Sequence, residues 1–186
     1  MSLHSILALD ARLSEQMRVA EKPGALRTMA AFFAHSGDSW FWGAALLLSW
    51  LFSNSAWRKW EIVELVGISL LAALVMIIKF LVRRKRPEGE WGGIYRNTDP
   101  HSFPSGHAAR SFLIAVIASA LSPVWLAILL WAWAPLVALA RVAMGVHYVS
   151  DVVAGAVVGA AFAVIFLQFH EPLFMWVTGL IGFTMW

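Results

Sequence analysis

The chain has 186 residues, of which 60% are hydrophobic and 13% charged, and its mean hydropathy is +0.72. A soluble domain of this length usually has about 45–50% apolar residues, so the composition excludes an ordinary soluble domain and predicts one membrane-embedded domain over residues 1–186. Cysteine is absent, which excludes disulfides and thiolate metal sites, and the net charge of +3 lies mainly near predicted helix ends, where it suits anionic lipid headgroups better than nucleic acid.

The first segment of the chain is amphipathic. Apolar residues recur at helical spacing over residues 3–20, and charged residues such as Asp10 lie on the other sides. This pattern predicts a helix that lies on the membrane surface rather than crossing it. Pro23 and Gly24 end this helix, and residues 25–35 are too few for a span, which needs ~20 residues.

Longer apolar stretches follow. Five of them are predicted to cross the membrane: residues 40–57, 62–82, 105–121, 124–143 and 149–169. Gly155 and Gly159 form a Gly-x3-Gly step, which indicates either close helix packing or simple tolerance of small residues. Residues 172–186 are apolar but short, and they fit a sixth span, a half-span or a surface segment. The sequence therefore predicts an all-α integral membrane bundle of five or six transmembrane helices with an N-terminal amphipathic interfacial helix.

Three short polar segments interrupt these apolar stretches. They are Lys79 with Arg86 and Pro87; Pro104, Ser105, Gly106 and His107; and Arg141 with His147 and Asp151. Ionisable groups at membrane depth are costly, so they are interpreted as functional. Helix counting brings all three segments to one membrane face, because residues 62–82 end there, residues 105–121 leave it and residues 124–143 return to it.

The first two segments suit an anion. Lys79 and Arg86 are seven residues apart, so on a continuous helix they would share one face and could bind a phosphate together. Taken alone, the lysine also fits a side chain that snorkels to the interface. Ser105 is a natural helix N-cap, Gly106 permits close approach of a phosphate oxygen, and the N-terminus of a helix binds anions. An ordinary helix cap is the alternative unless His107 takes part.

The third segment suits nucleophilic catalysis. His147 and Asp151 are four residues apart and would be neighbours on a helix. A carboxylate bonded to one imidazole nitrogen fixes the tautomer and leaves the other nitrogen free to attack. A buried structural His–Asp pair is the alternative. Arg141 adds a third cation.

Together the three segments resemble the signature of the type 2 phosphatidic acid phosphatase family, Lys-x6-Arg-Pro, Pro-Ser-Gly-His and Ser-Arg-x5-His-x3-Asp. Every position matches except Ala140, where the family usually has serine. The resemblance implies five phosphate-binding residues: Lys79, Arg86, Ser105, Gly106 and Arg141. It also implies that His147 attacks phosphorus, that His107 protonates the leaving oxygen and that Asp151 orients His147. The family mechanism needs no metal or other cofactor.

The resemblance predicts a lipid phosphatase that cleaves a phosphomonoester or pyrophosphate through a phosphohistidine. Phosphatidate, phosphatidylglycerophosphate and polyprenyl phosphate or pyrophosphate are all candidate substrates. Transfer of the phosphoryl group to another lipid is an alternative that the motifs do not separate from hydrolysis. The predicted spans argue against a soluble vanadate haloperoxidase, and the presence of both histidines argues against a non-catalytic lipid-binding protein.

Other residues near the polar segments are candidates for a lesser role. Arg110, Arg96 and Tyr95 are predicted to contact the lipid headgroup, with ordinary interfacial side chains as the alternative. Residues 35–38 precede a span and are predicted to line the mouth of the site.

The expected location is the inner membrane of a bacterium. A count of positive residues favours a cytoplasmic active site, but several of the counted cations belong to that site, so the face stays open. The expected partners are the lipid phosphate substrate and membrane lipids, with no nucleic acid. The oligomeric state is left open.

Overall fold

The computed structural model describes residues 3–89, 91 and 93–181, and within these residues eight helices follow one another. They are α1 (Leu3–Gln16), α2 (Ala25–Ser36), α3 (Ser39–Phe52), α4 (Ser55–Val82), α5 (Gly93–Thr98), α6 (Gly106–Leu121), α7 (Val124–Ala143) and α8 (Val149–Ile181).

The fold prediction is confirmed. In the described part of the chain, three helices are long and apolar enough to cross a membrane, over Trp57–Val82, Val124–Ala143 and Val149–Trp176, and α3 and α6 are shorter apolar helices. Large apolar side chains face outward, among them Phe52 and Leu81. Outward apolar residues are expected where lipid rather than water surrounds the protein.

Several predicted boundaries are wrong. The amphipathic helix predicted over residues 3–20 ends at Gln16, and the span predicted over residues 62–82 begins earlier, at Trp57. The predicted span over residues 40–57 ends at Phe52, because Asn54 accepts a hydrogen bond from the Trp57 amide and caps α4, which begins at Ser55. At the other end, α8 runs through Pro172 to Ile181 without a break, so residues 172–181 continue the last helix. Residues 182–186 of the predicted C-terminal segment lie outside the described residues.

The interfacial helix α1 presents two different sides. Leu7 and Leu13 are exposed, whereas Asp10 and Ser14 are buried against the start of α8. The Asp10 carboxylate accepts a hydrogen bond from the Ser150 amide at 3.0 Å, and the Ser14 hydroxyl accepts one from Val149 at 3.0 Å. These bonds satisfy amides at the start of α8 that have no partner within the helix.

Helix α6 lies at the centre of the bundle, and α8 approaches it closely. A Cβ atom on Gly155 would lie 2.5 Å from the Ser105 carbonyl oxygen, and one on Gly159 would overlap the carbonyl oxygen of Ala109. Only glycine fits at these two positions without displacing backbone. The Gly-x3-Gly step therefore serves close helix packing.

Candidate active site

The three polar segments meet at one end of the bundle around a cavity of about 210 Å³. Six of the residues predicted to bind or transfer the phosphate line the cavity: Lys79, Arg86, Gly106, His107, Arg141 and His147. Ser39, Asp99 and Arg110 complete its polar wall. The convergence that helix counting predicted is therefore present.

Lys79 and Arg86 reach the cavity from different elements. Lys79 lies in the last turn of α4, which ends at Val82, and Arg83 then takes a left-handed backbone conformation with φ 53°. Arg86 follows in the loop, which is tied back by a hydrogen bond of 2.8 Å from the Ser102 amide to the Arg84 carbonyl. The prediction that both cations share one helix face is wrong, although both are buried and line the same cavity.

Asp99 bridges these two cations. One oxygen of its carboxylate, Oδ2, accepts hydrogen bonds from Lys79 Nζ and from Arg86 Nη2, both at 2.7 Å. The Asp99 carbonyl accepts a third hydrogen bond from Arg86 Nε, also at 2.7 Å. Burial lowers the pKa of Arg86, but a guanidinium remains charged in proteins. The two cations are thus directed at a shared anionic oxygen.

Arg141 is the third cation and is fully buried in the last turn of α7. Its Nη1 donates to the Ala34 carbonyl of α2 at 3.3 Å. Ala140, the position where the signature has serine, packs in a small apolar cluster with Ala34 and Met144. The methyl group of Ala140 therefore packs in the contact between α2 and α7.

The second segment begins α6. Ser105 is the N-cap, as predicted, and its hydroxyl accepts a hydrogen bond from the Ala108 amide at 3.4 Å. The Ser105 amide donates to the Asp151 carbonyl at 2.9 Å, which ties the start of α6 to α8. Gly106 and His107 line the cavity, so the positive end of the helix dipole lies beside the three cations.

His107 is paired with a carboxylate from the N-terminal part of the chain. Its Nε2 lies 2.7 Å from Asp38 Oδ1, and His35 Nδ1 lies 3.2 Å from the other oxygen of Asp38. Burial raises the pKa of Asp38, but the hydrogen bonds and charges of His107 and His35 outweigh it and lower the pKa to about 2. Asp38 is therefore a carboxylate at neutral pH.

His147 lies in the loop between α7 and α8, so the prediction that it shares a helix with Asp151 is wrong. Its Nδ1 is 3.5 Å from Asp151 Oδ2, longer than a normal hydrogen bond, and its Nε2 is 3.0 Å from Arg86 Nη1. Burial, with Arg86 and Arg141 nearby, lowers the pKa of His147 to about 3, although Asp151 opposes the shift. His147 is thus a neutral imidazole at pH 7 whose Nε2 faces the cations.

Asp151 is held by a network that reaches α1. Arg84 donates to Asp151 Oδ1 and to Asp10 Oδ2, both at 2.7 Å, and to the Ser150 hydroxyl at 2.6 Å. The other oxygen of Asp151 accepts from the Tyr148 amide at 2.9 Å. Arg84, a basic residue that matches no motif position, is therefore a partner of the site.

The geometry agrees with comparisons to known proteins. The model of the PAP2 superfamily matches residues 60–175. The chain belongs to the PAP2 superfamily.

Three known proteins are similar to this PAP2 chain over most of its length. It is 32% identical to a probable lipid phosphate phosphatase beta of Arabidopsis thaliana, over 91% of the chain and 93% of that protein. It is 33% identical to decaprenylphosphoryl-5-phosphoribose phosphatase of Mycobacterium tuberculosis, over 78% of the chain and 80% of that protein. The crystal structure of Aquifex aeolicus LpxE superposes with a TM-score of 0.69 at 26% identity, covering 86% of this chain and 95% of that one.

Of the residues predicted to contact the headgroup, Arg110 alone has a described side chain. It lines the cavity but is buried, and it donates to the Gly37 carbonyl from Nε at 2.8 Å and to the Ser39 hydroxyl. Its described contacts therefore hold the loop between α2 and α3. Tyr95 and Arg96 belong to α5, and their side chains lie outside the described residues.

Sequence reasoning missed three carboxylates. Asp10 and Asp38 come from the part of the chain without motifs, and Asp99 lies between the first two motifs but belongs to neither. The one signal that pointed to Asp38 was its position just before a predicted span. No spacing rule links it to His107, which is 69 residues away.

Proposed function

We propose that this chain is a lipid phosphatase that hydrolyses a phosphomonoester or pyrophosphate through a phosphohistidine at His147. Family membership and the two similar phosphatases support a membrane enzyme that acts on lipid phosphates. The observation that carries the proposal is the position of His147 Nε2, which lies 3.0 Å from the Arg86 guanidinium in a cavity that Lys79 and Arg141 also line.

Phosphate binding falls to Lys79, Arg86, Arg141 and the first amides of α6. The shared hydrogen bonds to one oxygen of Asp99 support this assignment, because Lys79 and Arg86 can coordinate a single anionic oxygen together. Such donors would also stabilise the charge that develops on the non-bridging oxygens in the transition state.

The reaction proceeds in two steps. The lone pair of His147 Nε2 attacks phosphorus while the bond to the lipid oxygen breaks, and His107 gives a proton to that leaving oxygen. Asp151 stabilises the positive charge that forms on His147. A water molecule then attacks the phosphohistidine, passes a proton to His107 and releases inorganic phosphate. The low pKa keeps His147 neutral at pH 7, so Nε2 carries a lone pair. That lone pair accepts from Arg86 Nη1 in the structure, and it can attack once the bound phosphate takes over the hydrogen bond of Arg86.

The lipid part of the substrate would lie along α4. The cavity continues from Lys79 past apolar residues of the same helix, Met76, Val75, Ala72, Leu71 and Ile68. The distance from Lys79 to Ile68 along the helix is roughly 16 Å at 1.5 Å per residue. A chain-like apolar group therefore fits beside the phosphate site. We further propose that the whole chain acts as one domain in the inner membrane of a bacterium.

A phosphate-release screen of the purified protein tests the function. The substrates are phosphatidate, phosphatidylglycerophosphate, and a polyprenyl phosphate and pyrophosphate, with the His147→Ala variant as blank. Release from at least one lipid, absent in the variant, is expected, and release from none would contradict the proposal. Addition of an acceptor lipid, followed by product analysis, separates hydrolysis from phosphotransfer.

Catalysis is proposed to need no metal, because three cations are placed to neutralise the phosphate directly. Activity should therefore survive EDTA. A loss with chelator that magnesium restores would overturn the metal-free mechanism.

A further inference from the structure

The loop between α2 and α3 brings a carboxylate to the second histidine of the site. Asp38 Oδ1 and His107 Nε2 are 2.7 Å apart, and each side chain is only 15% exposed. The corresponding contact between His147 and Asp151 is longer, at 3.5 Å. Each histidine of the site is therefore paired with a carboxylate. The shorter contact joins His107 to Asp38, which belongs to no motif.

The loop that carries Asp38 is fixed from several sides. The carbonyl of Gly37 accepts from Arg110 Nε at 2.8 Å, and a Cβ on Gly37 would lie 3.3 Å from the His107 ring. Ser36 accepts hydrogen bonds from the indole of Trp42 at 3.0 Å and from that of Trp133 at 2.8 Å. The backbone beside Asp38 is thus anchored to α3, α6 and α7.

The carboxylate of Asp38 contacts imidazole nitrogens and does not cap a helix. Aspartate is a favoured N-cap because its side chain can accept from the first amides of a helix. Asp38 occupies the N-cap position of α3, yet its side chain makes no capping hydrogen bond. Both of its oxygens instead face imidazole nitrogens, those of His107 and His35.

We propose that Asp38 is a positioning residue for His107 in the protonation of the leaving group. With Nε2 bonded to Asp38, the ring orientation is fixed and Nδ1 is the nitrogen that serves the leaving oxygen. In the first step the Nδ1–H bond breaks, an O–H bond forms on the leaving oxygen, and the electron pair of the cleaved P–O bond stays on that oxygen. Asp38 stabilises the imidazolium before this transfer. This inference rests on the role proposed for His107 above.

A comparison of kcat on two substrates with different leaving groups tests the inference. An alkyl phosphate needs its leaving oxygen protonated, whereas the phenolate of para-nitrophenyl phosphate leaves without a proton. Asp38→Asn should lower kcat about 10- to 100-fold on octyl phosphate but less than about threefold on para-nitrophenyl phosphate. His107→Gln should show the same selectivity with a larger loss, and adding Asp38→Asn to it should cost nothing more.

Two variants separate positioning from a general loosening of the loop. Ser36→Ala removes the hydroxyl that accepts from Trp133 but keeps the backbone carbonyl that accepts from Trp42, and it leaves the carboxylate of Asp38. Any loss should therefore be equal on both substrates. Asp38→Glu keeps the charge and displaces it by one methylene, so it should give a smaller but still selective loss. This second variant tests the inference if Asp38→Asn does not fold.

The outcomes are distinct. Selective losses in both the Asp38 and His107 variants support the inference. A selective loss in His107→Gln with an equal or absent loss in the Asp38 variants overturns the inference and leaves the proposed function intact. An unselective loss in His107→Gln overturns the assignment of His107 as the acid, and the inference with it.

Discussion

The segment from Lys79 to Asp151 and the segment from Leu3 to Asp38 make opposite contributions to the same site. The first contains every residue proposed to touch phosphate. The second contains no motif, yet it supplies Asp10 to the network around Asp151, Asp38 to His107 and the Ala34 carbonyl to Arg141.

This contrast shows which kinds of residue a sequence motif records. Groups that touch phosphate need a fixed chemical type at a fixed spacing, so they leave a recognisable pattern. A residue that orients them needs only a carboxylate or a carbonyl in the right place, which many chain segments can provide. The comparison predicts a gradient of effects, from loss of activity in the motif segment to partial losses in the N-terminal segment.

The largest effect is expected for His147→Ala, which removes the attacking nitrogen. Turnover should be abolished while the protein stays folded in detergent, as measured by phosphate release and size-exclusion chromatography. An acid-labile, base-stable phosphorylated species should be trapped on the wild type only. Near-normal release by the variant would refute the nucleophile assignment.

A smaller but severe loss is expected for Asp151→Asn. The amide cannot stabilise a positive imidazole, and it can select the wrong tautomer of His147. The analogous change in a serine hydrolase triad costs about 10⁴ in rate, so a loss on the order of 10²–10⁴ is expected. Single-turnover phosphate release on a short-chain lipid phosphate measures it, and a rate within about threefold of wild type would mean that Asp151 has only a structural role.

A moderate loss is expected for Asp10→Asn in the N-terminal segment. The Asp10 carboxylate bonds Arg84 and Ser150, which in turn contact the Asp151 network, so removing its charge should slow single-turnover phosphate release about 10-fold, the cost of roughly one charged hydrogen bond. Glu15→Gln is the matched control, because it lies on the same helix and its side chain is 72% exposed. Equal rates for the two variants would show that α1 does not support the site.

The smallest effect is expected for Ala140→Ser, which restores the residue usual in the signature. Because Ala140 lies in the apolar contact between α2 and α7, the added hydroxyl should change kcat/KM by about twofold or less. A gain of tenfold would mean that the hydroxyl binds phosphate here and that the motif segment is incomplete without it.

Much of this architecture was predictable from local pattern. The apolar stretches gave the membrane helices, and helix counting alone brought the three polar segments to one face. The N-cap at Ser105 followed from residue type and position. These features depend on composition and periodicity, which a sequence displays directly.

The errors lie where tertiary contacts override local pattern. The spacing of Lys79 and Arg86 suggested one helix, but the left-handed turn at Arg83 and the hydrogen bond from Ser102 to Arg84 carry the second cation in on a loop. His147 likewise precedes α8 instead of lying in it. The pairing of Asp38 with His107 joins residues 69 positions apart, which no helical period encodes.

The two glycines of α8 have a mechanical consequence. Gly155 and Gly159 lock α8 against the first turn of α6, and the bond from the Ser105 amide to the Asp151 carbonyl extends that contact to the catalytic end. The start of α6, which carries His107, is therefore held at a fixed distance from the start of α8, which carries Asp151. A methyl group at either glycine would wedge the two helices apart and would loosen the site from a distance, without touching any of its polar side chains.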